Sequence, residues 1–187
     1  INSTNNKYDF YSYGQIIRNE APEITNFYIL HEGLVATLDD ELIEEDYDDI
    51  EEKKFTRTAQ KGWLGIGDKY WITSLIPPSG KEFKTTFDYK NKFRVNFVAT
   101  EPLELNSNSS VEDTLQIIVA AKRVDVIDGY AESLKIDKFD LTIDWGFLYF
   151  ITKPLFFGID YFFKLLGNYG LAIIAITICI RLVFFPL

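Results

Sequence analysis

The chain has 187 residues, a net charge of −9, 47% hydrophobic residues and 16% aromatic ones, but a single cysteine (Cys179) and a single histidine (His31). That excludes an intrachain disulfide and a His/Cys zinc cage, and any Ser-His-Asp or Cys-His site would have to use His31. Nucleic acid is not an expected partner, because phosphate binding is driven by Lys and Arg releasing counterions, and here 28 acids outnumber 19 bases.

The acid is unevenly placed. From Asp140 onward three acids (Asp140, Asp144, Asp160) balance three bases (Lys153, Lys164, Arg181), so the whole −9 lies in residues 1–139. The chain opens on Ile1 and stops at Leu187 inside an apolar run, and is expected to be a piece of a longer protein.

Residues 1–124 predict a mainly β, antiparallel domain. Phe93, Val95 and Phe97 alternate with Arg94 and Asn96, while Leu115, Ile117 and Val119 alternate less cleanly, as a strand buried on both faces would. Phe83 to Tyr89 followed by Lys90-Asn91-Lys92 predicts a hairpin, and Pro77-Pro78-Ser79-Gly80 and Asn106 to Ser110 predict loops. Between Asp125 and Lys138 the spacing of Val126, Ile127, Tyr130 and Leu134 predicts a short helix. The β domain is thus expected over residues 1–139.

Residues 140–166 follow as an expected interfacial helix. From Trp145 to Phe163 nine of nineteen residues are aromatic, yet Lys153, Asp160 and Lys164 fall within about 40° of one another at 100° per residue. That pattern suits a helix lying in a membrane interface, with Trp145, Tyr149, Lys153, Tyr161 and Lys164 as its anchors; an amphipathic helix capping the β domain is the other reading. Pro154 predicts a kink or a helix start nearby, and Gly167-Asn168 a break.

Leu165 to Ile180 is sixteen residues without a charge, and past Arg181 the chain stays apolar to Leu187. As a helix this window would be about 35 Å long, enough for a hydrocarbon core of about 30 Å. Residues 167–187 therefore predict a transmembrane helix, against the alternative of a buried core helix. Arg181 would lie about 21 Å along it from Gly167, beyond the middle of the core. Two readings stay open there: a guanidinium snorkelling to the far interface, or a cation in a wet intramembrane cavity with Thr177 one turn back on the same face.

Other motifs carry less. Ten acids in the fourteen residues from Asp39 to Glu52 suggest calcium, but the run holds no Gly for an EF-hand turn, and a solvated loop or frayed helix is expected. Gly62-Trp63-Leu64-Gly65-Ile66-Gly67 lacks the order of a phosphate loop and predicts strand glycines beside Trp63 and Trp71. His31 beside Glu32 has no nucleophile at recognisable spacing and is expected to be a loop or strand-end histidine. Asn2-Ser3-Thr4 and Asn108-Ser109-Ser110 match the glycosylation sequon. No catalytic, metal or cofactor site is expected.

Several runs resemble one family. Ile143 to Pro154 (IDWGFLYFITKP), Gly167 to Ile173 (GNYGLAI) and Arg181 to Leu187 (RLVFFPL), with Asn26 to Gly33 (NFYILHEG), Asp68 to Trp71 (DKYW) and Ala121 to Asp125 (AKRVD), closely resemble the YidC/Oxa/Alb membrane protein insertase family of Gram-negative type. The resemblance covers nearly the whole chain and is weakest in the acidic run.

It implies the second half of a periplasmic β-supersandwich, an amphipathic helix on the periplasmic leaflet of the bacterial inner membrane, and from Gly167 the first helix of a five-helix core. It also implies a groove open to cytoplasm and lipid that Arg181 faces, which puts Thr177, one turn back on the same face, in the expected groove with it. Newly made membrane proteins, the lipid bilayer and the Sec translocon are the implied partners, and insertion without covalent chemistry the implied activity; residues 1–187 alone are not expected to insert a substrate. Two competing functions remain at this point. One is a membrane-tethered extracytoplasmic β-sandwich that binds a sugar or peptide, and the other a glycosidase with two carboxylates in a cleft.

Overall fold

The computed structural model describes residues 1–22, 31–146 and 148–185. In chain order these form β1 (Tyr8–Phe10), β2 (Tyr13–Arg18), β3 (Gly33–Leu38), β4 (Glu41–Asp46), α1 (Tyr47–Glu52), β5 (Phe55–Ala59), β6 (Gly62–Gly67), β7 (Trp71–Ile76), β8 (Phe83–Tyr89), β9 (Phe93–Ala99), β10 (Leu103–Leu105), β11 (Gln116–Ala121), α2 (Val124–Leu134), a 3-10 turn (Phe139–Thr142), α3 (Tyr149–Leu166) and α4 (Tyr169–Phe184). They divide into two compact units, Ile1–Asp144 and Trp145–Leu187.

In the first unit, side-chain alternation builds two antiparallel sheets that share a core. Phe93, Val95, Phe97 and Ala99 point inward from β9, which pairs with β8 and β2 in a four-stranded sheet of order β2-β9-β8-β5. The β8–β9 hairpin turns at Lys90–Lys92, as its sequence predicts, with Asn91 in a left-handed conformation (φ 59°). The second sheet has five strands in the order β11-β7-β6-β3-β4, and β1 pairs separately with β10.

At the centre of the five-stranded sheet every residue of β3 is buried, because both faces are covered. Leu34, Ala36 and Leu38 meet Phe83, Phe87, Phe93 and Phe97 of the other sheet. Val35, on the opposite face, packs with Trp63, Ile72, Ile118, Ile127 of α2 and Phe139 of the 3-10 turn. Trp63 and Phe139 are fully buried edge to face, ring centroids 5.4 Å apart. The expected antiparallel β domain with a short following helix is present, arranged as a sandwich with α2 over one outer face.

The acidic run differs from its expectation. Half of it is a strand: β4 pairs with β3 along its whole length, Ile43 pointing into the core, and only Tyr47–Glu52 is helical. β4 is a sheet edge, so its acids can face water while pairing with β3 fixes the backbone, and pairing overrides weak β propensity. β11 differs too. Expected to be buried on both faces, it is also an edge strand, with Ile118 and Ala120 under α2 and Ile117 and Val119 left 62% and 64% exposed on the other face.

The glycine run lies in β6, as strand glycines should. Gly62 has φ 137°, where a side chain would be strained, and a Cβ there would fall 1.8 Å from the Thr37 carbonyl oxygen.

In the second unit α3 starts at Tyr149, later than the expected 140–166 segment: Phe139–Thr142 belongs to the first unit, and Trp145 precedes the helix. Pro154 lies inside α3, with the helix starting five residues before it. Gly167 ends α3 in the left-handed conformation (φ 66°), and the Asn168 side chain caps α4 by accepting from the Leu171 N–H at 3.2 Å. The predicted break is therefore a paired stop and start. Gly158 lets α3 and α4 approach, since a Cβ there would meet Ile176 Cδ1 at 2.8 Å, and Ala172 is fully buried. α4 has 16 residues, about 24 Å of helix. Among the described residues no helix is long and apolar enough to cross a membrane. The motif residues 26–30, Phe147, Pro186 and Leu187 lie outside the described residues.

Candidate functional site

Arg181 and Thr177 sit one turn apart on one face of α4, both exposed. The Thr177 hydroxyl donates to the Ile173 carbonyl at 2.7 Å, so its hydrogen is spent within the helix and an oxygen lone pair is what it offers outward.

The five residues expected as interface anchors divide into two sets. Trp145 is half-buried: it stacks edge to face on Phe156 at 5.6 Å, Lys153 Nζ lies 5.8 Å from its ring centre, and the Thr152 hydroxyl donates to its carbonyl. Trp145 and Lys153 thus fasten the start of α3. Tyr149 and Tyr161 are exposed, and Lys164 bridges Asp160 at 2.6 Å on the stripe their spacing predicts.

Sequence reasoning missed a charged cluster at the end of the five-stranded sheet. Strand register places Gly33 of β3 opposite Gly67 of β6. A Cβ on Gly33 would come 2.9 Å from His31 Cε1, and one on Gly67 2.9 Å from Lys122 Nζ, so two missing side chains make the floor on which a histidine ring and an ammonium lie. Around them, His31 Nδ1 is 3.2 Å from Asp46 Oδ1, and the His31 backbone N–H donates to Asp144 Oδ2 at 3.0 Å, across 113 residues of sequence. Arg18 pairs with Asp68 at the end of β6 and lies 5.6 Å from the Tyr47 ring centre.

Burial pulls the Lys122 ammonium below its ordinary pKa, while Asp68, Asp144, Glu32 and Glu44 each pull the other way. Burial also pushes the Glu44 carboxyl up, opposed by the Coulombic influence of His31 and Lys122 and reinforced by Asp144 and Asp46. His31 is the strand-end residue its surroundings predict, but its amide and ring are both engaged. The signals in the sequence are the short runs HEG, DKYW, AKR and IDW, which supply His31 and Glu32, Asp68, Lys122 and Asp144.

Two further candidates resolve. Asn2 is buried, its amide donating to the carbonyls of Asn6 (2.7 Å) and Asn106 (2.9 Å) and its Oδ1 accepting from Thr4, so its nitrogen is not presented for a glycan. Among the described residues no group of His, Cys, Asp or Glu is arranged to hold a metal ion.

A family model described as the YidC periplasmic domain matches residues 1–157, which takes in the whole β unit and the start of α3. The chain belongs to the YidC periplasmic domain family. It is 74% identical over 187 residues to the membrane protein insertase YidC of Pelagibacter ubique (strain HTCC1062), covering all of this chain and 34% of that protein. It is 38% identical over 184 residues to the YidC of Agrobacterium fabrum, covering 95% of this chain and 31% of that protein. To the YidC of Mesorhizobium japonicum it is 38% identical over 193 residues, 100% of this chain and 32% of that one. The chain thus spans about a third of the length of these YidC relatives.

Proposed function

We propose that the chain is the part of a membrane protein insertase in which a periplasmic β domain passes through an interfacial helix into the first helix of the membrane core. The observation that carries this reading is the 74% identity over the full chain to a protein named as an insertase. In this reading residues 1–166 lie on the periplasmic side of the bacterial inner membrane and residues 167–187 enter it. The charge-free run from Leu165 to Ile180 and the exposed apolar surface of α4 (Ile174, Ile178, Leu182, Val183) support that placement.

The mechanism follows from the cost of moving polar groups through hydrocarbon. A hydrophilic segment of a new membrane protein meets a barrier because its backbone and charges lose water. A wet, positively charged recess inside the membrane shortens the dry path, and Arg181 gives an acidic or polar segment a place to pause. An Arg at the centre of a span costs about 2.5–3.5 kcal/mol on insertion scales, and one beyond the middle, as Arg181 would be, costs less but is still unfavourable in lipid. Thr177, one turn away, offers a hydroxyl oxygen to N–H groups of the same segment. The apolar part of the substrate then partitions into lipid, driven by its own burial, and no covalent step is needed. The partners of this reading are newly made membrane proteins, the bilayer and the Sec translocon.

The test is rescue of insertase-depleted cells by the full-length protein carrying Arg181→Ala or Arg181→Lys. Loss of about tenfold or more in insertion of single-span substrates with Ala, and partial recovery with Lys, is the expected result. Unchanged insertion by both proteins removes the groove role of Arg181.

A further inference from the structure

We propose that Lys122, Asp144 and His31 form an electrostatic latch that pins the point where the chain leaves the β unit. Asp144 is the last residue of that unit, and α3 begins five residues later. Asp144 accepts from the amide of His31, 113 residues away in the sequence at the entry to β3. His31 is in turn held by Asp46 at the end of β4 and by the clearance over Gly33, where a side chain would strike the ring. Lys122 follows the last residue of β11, and its own N–H donates to the Tyr70 carbonyl at 2.8 Å, so the base of its side chain is fixed to the β6–β7 connection.

The arrangement therefore ties the ends of β3, β4, β6 and β11 to the exit of the chain. Lys122 is a partly buried cation within Coulombic reach of four carboxylates, Asp68, Asp144, Glu32 and Glu44, of which Asp68 also pairs with Arg18, with His31 alongside and Asp46 beyond it. Without Lys122, Asp144, Glu32 and Glu44 lose their nearby ammonium while Asp68 keeps Arg18, and Asp144, the last residue of the unit, is the cheapest to release. Gly67 keeps the ammonium in place from below, since Lys122 Cε also lies within 3.3 Å of where a Cβ would stand. The latch acts on position only, and it stands whether or not the chain serves an insertase.

Hydrogen exchange on the full-length protein in lipid vesicles reads the latch directly. Lys122→Met and Asp144→Asn are each expected to raise exchange about tenfold or more at the His31 amide and at residues 143–146, with the buried strand β6 unchanged. The double variant is expected to loosen these sites by less than the product of the two single effects, because the partners fail together. Unchanged exchange at His31 in both single variants, or strictly multiplicative effects in the double one, overturns the latch. Should Lys122→Met also lose the protection of β6, Asp144→Asn decides alone: a looser His31 amide over an intact β6 supports the latch, and an unaltered one overturns it. Insertion measured in parallel keeps the two proposals apart, since an open latch with full insertion leaves the insertase reading standing.

Discussion

Glu44 shows how a single carboxyl can work against the fold that contains it. Its side chain lies on the α2 face of the five-stranded sheet by register, between Leu42 and Asp46, and burial raises its pKa above the ordinary value despite nearby positive charge. A carboxyl whose folded pKa is raised favours folding when protonated. That contribution is complete below the unfolded pKa and is lost as pH rises through the folded one. Glu44→Gln should therefore raise the thermal midpoint at pH 7 to 8 by about 1 °C after solvent screening, with the gain fading below about pH 4.5. A midpoint that falls at pH 7, or a gain that persists unchanged into acid, shows that the attraction of Lys122 outweighs desolvation. None of this is legible in the run of ten acids, where Glu44 looks like its neighbours; pairing with Val35 is what sets it on the α2 face of the sheet, where it stays exposed to solvent but loses part of its hydration.

Elements were legible where one local rule decides them. The alternation of Phe93, Val95 and Phe97, the Lys90–Lys92 turn and the Gly167-Asn168 stop and start are all carried by adjacent residues, and the structure has each of them. β4, the exposed side of β11 and the His31–Lys122–Asp144 cluster depend on partners far away in the chain, so composition and periodicity cannot find them. The α3–α4 pair belongs to the first kind only in part: the break is local, but the close approach rests on Gly158 against Ile176. Gly158→Leu should pry the two helices apart and cost about 1–3 kcal/mol of their association, by overpacking. Cross-linking between cysteines placed on facing turns of α3 and α4 would measure it, and undiminished cross-linking would refute the packing.

For the whole molecule the contrast is between the two units. Residues 145–187 carry one acid, Asp160, against three bases, Lys153, Lys164 and Arg181, a charge of +2, which leaves −11 on residues 1–144 from the total of −9. The apolar cores of the first unit are closed within it, whereas α3 buries no residue fully and α4 only Ala172. Detergent-phase partitioning should accordingly carry the full chain into the micellar phase and leave a chain ending at Asp144 in the aqueous one. A full chain that stays aqueous removes the membrane placement proposed above.

The bare rim of β11 puts that large negative charge in another light. Beyond it no strand follows among the described residues, and two branched side chains, Ile117 and Val119, stand in water along it. Such borders invite a neighbouring copy to stack on them. Eleven surplus anions per β unit make every such encounter repulsive at long range, so the acidity also serves as a colloidal guard for that open edge.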